Sequence, residues 1–291
     1  MQRAGGVSGT IRLTAKQSAA ACTAFCLLFA WPSHSACAAS NVPQERASAR
    51  QMVATLLANE DAASHHRDHY MFLSQERSER TGGRLWTEKV VETKSGVIRM
   101  LLSVDGRPLG AARRARERER LAAIAADPAE FANRSRSQKE DVDYARKMEW
   151  LVGRAFDFSE RGSEDGYLRI DFTPDPNFKS QSFVERVMHG MSGTLLIDPR
   201  TMRLHRLDGC LEQDVSLGFG ILARIHAGSR FGVTRGDPGM PDWKMTEYDT
   251  AFNGRILFLK SIVWNAHAMH SDFVRVPDDI SVAQAVALLE K

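Results

Sequence analysis

The sequence predicts an α+β fold in which one large, curved, mostly antiparallel sheet forms a half-barrel with helices covering its concave side. Much of the chain consists of short apolar or alternating segments, separated by turn pairs such as Asp105-Gly106 and Asp208-Gly209. Helical patterns stand at both ends of the folded part, and a helical segment at about 108–151 interrupts the strands after the third one. Strands gathered in runs, with helices set apart from them, are typical of an α+β domain.

The folded part begins with a helix and three strands. Residues 41–65 predict the helix, because Asn41 and Gln44 have the spacing of a capping box and Pro43 stands in the first turn. The period then changes from helix to strand, and strands are predicted at 70–81, 84–93 and 97–104.

The helical insertion at about 108–151 opens with an arginine-rich helix, predicted at 111–126. This helix carries Arg113, Arg114, Arg116, Arg118 and Arg120, interrupted by Glu117 and Glu119. Its charges are interpreted as a solvated face with internal salt bridges. The alternative is contact with anionic lipid or glycan outside the cytoplasm, for example at a membrane surface.

Strands resume after the insertion and continue almost to the C-terminus. They are predicted at 154–159, 167–172, 194–197, 202–207, 231–234, 243–250, 255–264 and 266–274. Short helices are predicted to begin at the capping residues Ser182 and Ser281. A turn at Asn253-Gly254 is predicted to lead into strand 255–264.

The stretch 190–225 is the centre of the predicted sheet. From Asp214 onward, large apolar residues alternate with Ser216, Gly218 and Gly220. The small face of such a strand allows another element or a ligand to come close. The candidate ligand-cavity residues are Leu195, Ile197, Leu204, Val215, Leu217, Phe219, Ile221, Leu257 and Leu259. The alternative is that these side chains fill an ordinary core.

Residues 1–38 have the pattern of a secretory signal peptide. A basic segment precedes an apolar run at 18–31, which is shorter than the roughly 20 residues that span a bilayer. Small residues follow Pro32, and cleavage is predicted near Ala38. The alternatives are lipidation at Cys37 and an uncleaved anchor. The sequence therefore predicts an exported protein, periplasmic or associated with the outer envelope, with a single domain at 39–291.

The charge pattern argues against a nucleic-acid partner. The formal net charge is +3, and Arg3, Arg12 and Lys16 in the signal account for all of it, since residues 1–38 contain no acidic residue. The folded part therefore lacks the basic surplus that nucleic-acid binding requires. Cys210 is the one cysteine after residue 38 and is predicted to be partly buried, and no cofactor is expected.

Histidines offer the main alternative chemistry. His65, His66 and His69 form one cluster, and His267 and His270 form another. On a helix His65 and His69 would share a face, as a metal pair does, but a third ligand is not identifiable. An envelope hydrolase or metal-dependent enzyme using either cluster is therefore the alternative function, whereas no metal ligand or catalytic residue is assigned.

One hairpin resembles a known superfamily. The segment from Gly193 to Pro199, followed by Thr201 and an apolar strand, is similar to the strand pair of periplasmic lipoprotein carriers. The relatives are the carrier and receptor of outer-membrane lipoprotein localisation and the periplasmic regulator of the envelope-stress sigma factor. The resemblance implies a half-barrel over helices, an apolar cavity for lipid chains and no enzymatic activity. The insertion at about 108–151 departs from the compact carriers.

These observations lead to one functional expectation. The protein is expected to be a non-enzymatic envelope protein that binds a lipid-like or other apolar ligand, or an envelope protein partner, in or over a curved sheet.

Overall fold

The computed structural model describes residues 45–64, 68–135, 152–218, 222–236, 243–256 and 260–291. The predicted signal peptide at 1–38 and the part of the insertion at 136–151 lie outside these residues. Within the described chain, no helix combines the length and the apolar character needed to cross a membrane.

The predicted α+β fold class is confirmed. The helices described over their full length are α1 (Glu45–Ser64), α2 (Ala111–Ala126), α3 (Pro128–Arg134), α4 (Phe183–His189) and α5 (Val282–Leu289), and residues 152–155 are also helical. The first strands are β1 (His69–Arg77), β2 (Trp86–Thr93), β3 (Gly96–Val104), β4 (Arg107–Pro108), β5 (Phe156–Glu164), β6 (Tyr167–Pro174) and β7 (Met191–Asp198). The others are β8 (Arg203–Leu211), β9 (Val215–Leu217), β10 (Ala223–Ile225), β11 (Arg230–Gly236), β12 (Lys244–Ile256) and β13 (Lys260–Val276).

The thirteen described strands form one open sheet. Its order is β4-β3-β2-β1-β13-β12-β11-β8-β7-β6-β5, and β10 pairs with β12 and β9. All of these pairs are antiparallel. The N-terminal strands therefore lie beside the C-terminal β13, with the first three strands on one side and β5 to β8 on the other.

The helices pack on both faces of the sheet, which differs from the prediction that they cover its concave side. Ala49, Val53 and Leu56 of α1 join the main core with β5 to β8. Leu207 of β8 belongs to this core, and successive cross-strand pairs lead from Leu207 through β11, β12 and β13 to Glu76 of β1. Paired residues point to the same face of a sheet, so Glu76 lies on the face that α1 covers, together with Trp86 and Glu88 of β2. The α5 helix packs on the opposite face, where it shares a second core with Val91 of β2, Ile98 of β3 and Leu121 of α2.

The prediction of a turn at Asn253-Gly254 is wrong. Asn253 and Gly254 lie inside β12, paired with Val263 and Ile262 of β13, which continues without a break to Val276. A side chain at Gly254 would collide with the backbone of Arg224 and with Ile225 in β10. The glycine therefore permits the close approach of a neighbouring strand, a requirement that local sequence does not distinguish from a turn.

Two glycines of the central hairpin allow aromatic rings to cover the backbone. Gly193 and Gly209 are directly paired in β7 and β8. A Cβ at Gly209 would lie 2.6 Å from Cζ of the Phe231 ring. A Cβ at Gly193 would lie 2.7 Å from Cζ of the Phe172 ring. The close approach expected at Gly218 is also present, since a Cβ there would lie 2.8 Å from the side chain of Leu222, whereas Gly220 lies outside the described residues.

A buried ionic cluster joins α1 to the sheet. Glu60 of α1 has 0% exposure and accepts hydrogen bonds from Arg203 Nε at 2.7 Å, Arg235 Nη1 at 2.7 Å and the Leu204 amide at 3.2 Å. Arg235 Nε also donates to the Trp243 carbonyl at 2.9 Å. The two arginines belong to the neighbouring strands β8 and β11, so a single carboxylate holds α1 across both.

We expect Glu60→Gln to lower the free energy of unfolding by about 3–5 kcal/mol, because it removes the carboxylate charge that binds two buried guanidinium groups. Urea unfolding followed by circular dichroism measures this loss. The control is Asp61→Asn on the exposed side of the same helix, which should change stability by less than about 0.5 kcal/mol. Equal stability of the two variants would contradict a structural role for the cluster.

We expect Gly209→Ala to destabilise the protein by about 1–3 kcal/mol, because the added methyl group displaces the ring of Phe231. Gly153→Ala is the matched control: Gly153 is helical, and its added Cβ meets only Leu57 at an ordinary 3.4 Å. The control should be neutral or stabilising. Thermal and urea unfolding compare the two, and a neutral Gly209→Ala variant would contradict the proposed packing.

Candidate ligand pocket at the edge of the sheet

A pocket of about 530 Å³ lies where α2 and α3 meet the edge strand β3. We call it the edge pocket. Its lining consists of Arg80, Trp86, Glu88, Val97, Ile98, Arg99, Leu101, Leu109, Arg113, Arg116, Glu117, Arg120, Ile124 and Phe131. The lining is half apolar, and its charged half has more arginines than carboxylates.

Side chains of α2 cover the free edge of β3. The short strand β4 pairs only with Ser103 and Val104, so the rest of that edge has no strand partner in the described chain. Glu117 Oε1 accepts the Leu101 amide at 2.9 Å, and Arg120 Nη2 donates to the Arg99 carbonyl. Two helix side chains thus satisfy edge groups that would otherwise be open to a further strand.

Glu117 also binds Arg120 on its own helix, at 2.7 Å and 3.0 Å. Partial burial by itself would raise the pKa of Glu117, but the hydrogen bonds from Arg120 and the Leu101 amide outweigh it and hold this pKa below its usual value. The carboxylate therefore stays ionised at neutral pH and keeps α2 attached to the strand edge.

An arginine fork forms the base of the pocket on the α1 face. Glu88 is 3% exposed and takes two hydrogen bonds from Arg80, at 3.1 Å and 2.6 Å, and one from Arg99 at 3.3 Å. Arg80 also binds Glu76 at 2.5 Å, and its guanidinium lies 5.4 Å from the ring centre of Trp86. This bidentate network fixes the direction of the side chains around it.

The same network raises the pKa of Arg80 and lowers the pKa of Glu76. Burial alone would lower the pKa of Arg80, but the hydrogen bonds with Glu88 and Glu76 raise it well above its ordinary value. Burial alone would raise the pKa of Glu76, but hydrogen bonds from Arg80 and Ser78 lower it. The base of the pocket is therefore a fixed arrangement of full charges.

Two lining arginines differ from the others. Arg113 and Arg116 of α2 are exposed and make no ion pair with any residue in the described part of the chain. The remaining lining arginines, at 80, 99 and 120, each bind a carboxylate. The pocket therefore has an apolar wall, an internally neutralised base and, at the α2 side, two arginines with no ion pair to the described residues.

The predicted cavity residues lie elsewhere. Leu195, Ile197 and Leu204 are at most 1% exposed in the main core beneath α1, Val215 packs partly against that core, and Leu217 is half-buried in β9. None of these five lines the edge pocket. Phe219, Ile221, Leu257 and Leu259 lie outside the described residues, so a ligand role for the nine stays a prediction.

The described histidines of the two predicted clusters have different neighbours. His270 Nδ1 contacts the Met245 carbonyl at 3.1 Å, and burial together with the nearby Arg99 lowers its pKa. His267 Nδ1 lies 3.5 Å from Asp249, and His69 begins β1 with a pKa lowered by burial. His65 and His66 lie outside the described residues, and the described part contains no group of three side chains that could hold a metal ion.

Cys210 is exposed in β8, not partly buried as the sequence predicted. It pairs across the hairpin with Ser192. The prediction is wrong because Cys210 occupies an outward-facing position of β8. The sequence predicts a turn at Asp208-Gly209, but both residues lie inside this strand.

Sequence reasoning identified the arginine run but missed its partners. The pairing of β1, β2 and β3 places Glu88 beneath Arg80 and Arg99, a contact that depends on the register of the strands. The available signal was Glu117 within the arginine run, an acid that faces the sheet while its neighbours face solvent.

Comparison of the chain with family models, with curated proteins and with solved structures gave no match.

Proposed function

We propose that this protein is an exported, non-enzymatic envelope protein that binds a lipid-like, amphipathic ligand in the edge pocket. The observation that carries the proposal is the mixed lining, in which apolar side chains and arginines share one space of about 530 Å³. Specific small-molecule sites commonly have volumes of roughly 300–1,000 Å³, with mainly apolar walls and a few placed polar groups. A ligand with a chain and a polar head matches this division.

The apolar wall offers the ligand's chain a surface from three elements. Val97 and Leu101 of β3 are half-buried, and Ile124 of α2 and Phe131 of α3 face the same space. Burying one methylene group stabilises a complex by about 0.8 kcal/mol, so a chain of a few carbons gives measurable affinity.

The base of the pocket favours binding without rearrangement. Arg80, Arg99 and Glu88 hold one another at hydrogen-bond distances, and Glu117 fixes α2 to β3. A site that is already ordered loses less conformational entropy when a ligand enters. The predicted signal peptide and the hairpin's resemblance to lipoprotein carriers support an envelope location and a lipid ligand.

We expect Leu101→Gln to weaken binding of fluorescent monoacyl lipids by about tenfold, because it replaces part of the apolar wall with an amide. The matched control is Leu102→Gln, which changes the adjacent half-buried leucine that does not line the pocket. Fluorescence titration with neutral, zwitterionic and anionic monoacyl lipids measures both variants. The proposal fails if no head group gives binding that depends on Leu101.

A further inference from the structure

The pairing of charges inside the edge pocket leaves two cations available to a ligand. Arg80 is matched by Glu76 and Glu88, Arg99 shares Glu88, and Arg120 is matched by Glu117. Arg113 and Arg116 line the same pocket without an ion pair in the described part of the chain. Their charge has no internal role comparable to that of the other three.

We propose that Arg113 and Arg116 bind the head group of the ligand and that this head group is a phosphate monoester on an apolar chain. The inference rests on the proposed function, since it names the chemical class of ligand for the same pocket.

The charge and geometry of the arginine pair fit this head group. A phosphate monoester carries about −1.5 to −2 charges at pH 7, which matches two guanidinium groups. Arg113 and Arg116 are three residues apart on α2 and therefore lie on one side of the helix. Each guanidinium presents parallel N–H donors that bind phosphate oxygens in a bidentate manner.

The helix itself has an electrostatic reason to attract an anion here. Arg113 stands in the first turn of α2, whose N-cap Gly110 provides no side-chain hydrogen bond and whose first turn contains no acid. The helix dipole disfavours cations at the N-terminus and favours anions. A bound phosphate would offset the unfavourable position of Arg113 while binding it.

The apolar wall lies within the same pocket as the arginine pair. Leu101 and Ile124 line it together with Arg113 and Arg116, so one ligand can contact both kinds of surface. The arginines take the head, and the wall takes the first carbons of the chain.

The test compares two double variants of the full chain by fluorescence displacement. Arg113→Gln with Arg116→Gln removes the proposed head-group site. Arg114→Gln with Arg118→Gln removes the same charge from exposed positions of α2 that do not line the pocket. The competitors are oleoyl-glycerophosphate, lysophosphatidylglycerol, monooleoylglycerol and inorganic phosphate, all measured at one ionic strength.

We expect oleoyl-glycerophosphate to bind the wild-type protein most tightly and the 113/116 variant to lose at least roughly tenfold in affinity, as for a lost hydrogen bond between charged groups. The 114/118 variant should lose less than about threefold through screened long-range charge alone. Binding of monooleoylglycerol should be the same in all three proteins.

Three results would overturn the inference or its basis. Equal losses in the two double variants would show general attraction to a basic helix rather than a head-group site. If the wild-type protein binds monooleoylglycerol as tightly as oleoyl-glycerophosphate, the proposal of a phosphate head group is wrong, and the proposed lipid-binding function stands. Inorganic phosphate that competes as strongly as the amphiphile would retain the anion site and overturn the lipid-binding function.

Discussion

The buried carboxylate of Glu60, held between Arg203 and Arg235, is the interaction on which the main core depends. A charge with 0% exposure is tolerated only where counter-charges and hydrogen-bond donors meet it. A shift of α1 along the sheet would separate that carboxylate from them. The cluster therefore selects one position of the helix, and this position brings Ala49, Val53 and Leu56 into contact with β5 to β8.

At the β3 edge of the sheet, a helix covers the strand. Leaving β3 open would invite pairing with another chain, and α2 prevents it with Glu117 and Arg120 bound to the backbone of β3. Because side chains bridge helix and strand, the two backbones remain apart, and the space between them is the edge pocket. The same contacts that protect the sheet thus create its candidate site.

The charges around Glu60 and those around the edge pocket are buried to different degrees. The charges around Glu60 are fully buried and hold α1 in place. Around the edge pocket, the exposure of the charged side chains increases from the buried Glu88 to the exposed Arg113 and Arg116. This gradient suits an amphipathic ligand, since a chain can lie against the apolar wall while its head stays near solvent. The helical insertion contributes α2 and α3 to this pocket, opposite the edge strand β3.

The sequence by itself determined the fold class, the range of α2, the start of α5 and the arginine run, because helix caps and alternating patterns are local properties of the chain. Tertiary structure decided which residues face a pocket. Leu195, Ile197 and Leu204 are apolar strand residues like Val97 and Leu101, but α1 buries the first set and α2 leaves a space beside the second. The structure has a strand where the sequence predicted a turn at Asn253-Gly254 for the same reason. Gly254 is required by the close approach of β10, a strand that lies far away in sequence. Pairing register and helix docking are long-range properties, so the roles of Glu60, Glu88 and Arg80 exist only once the sheet has formed.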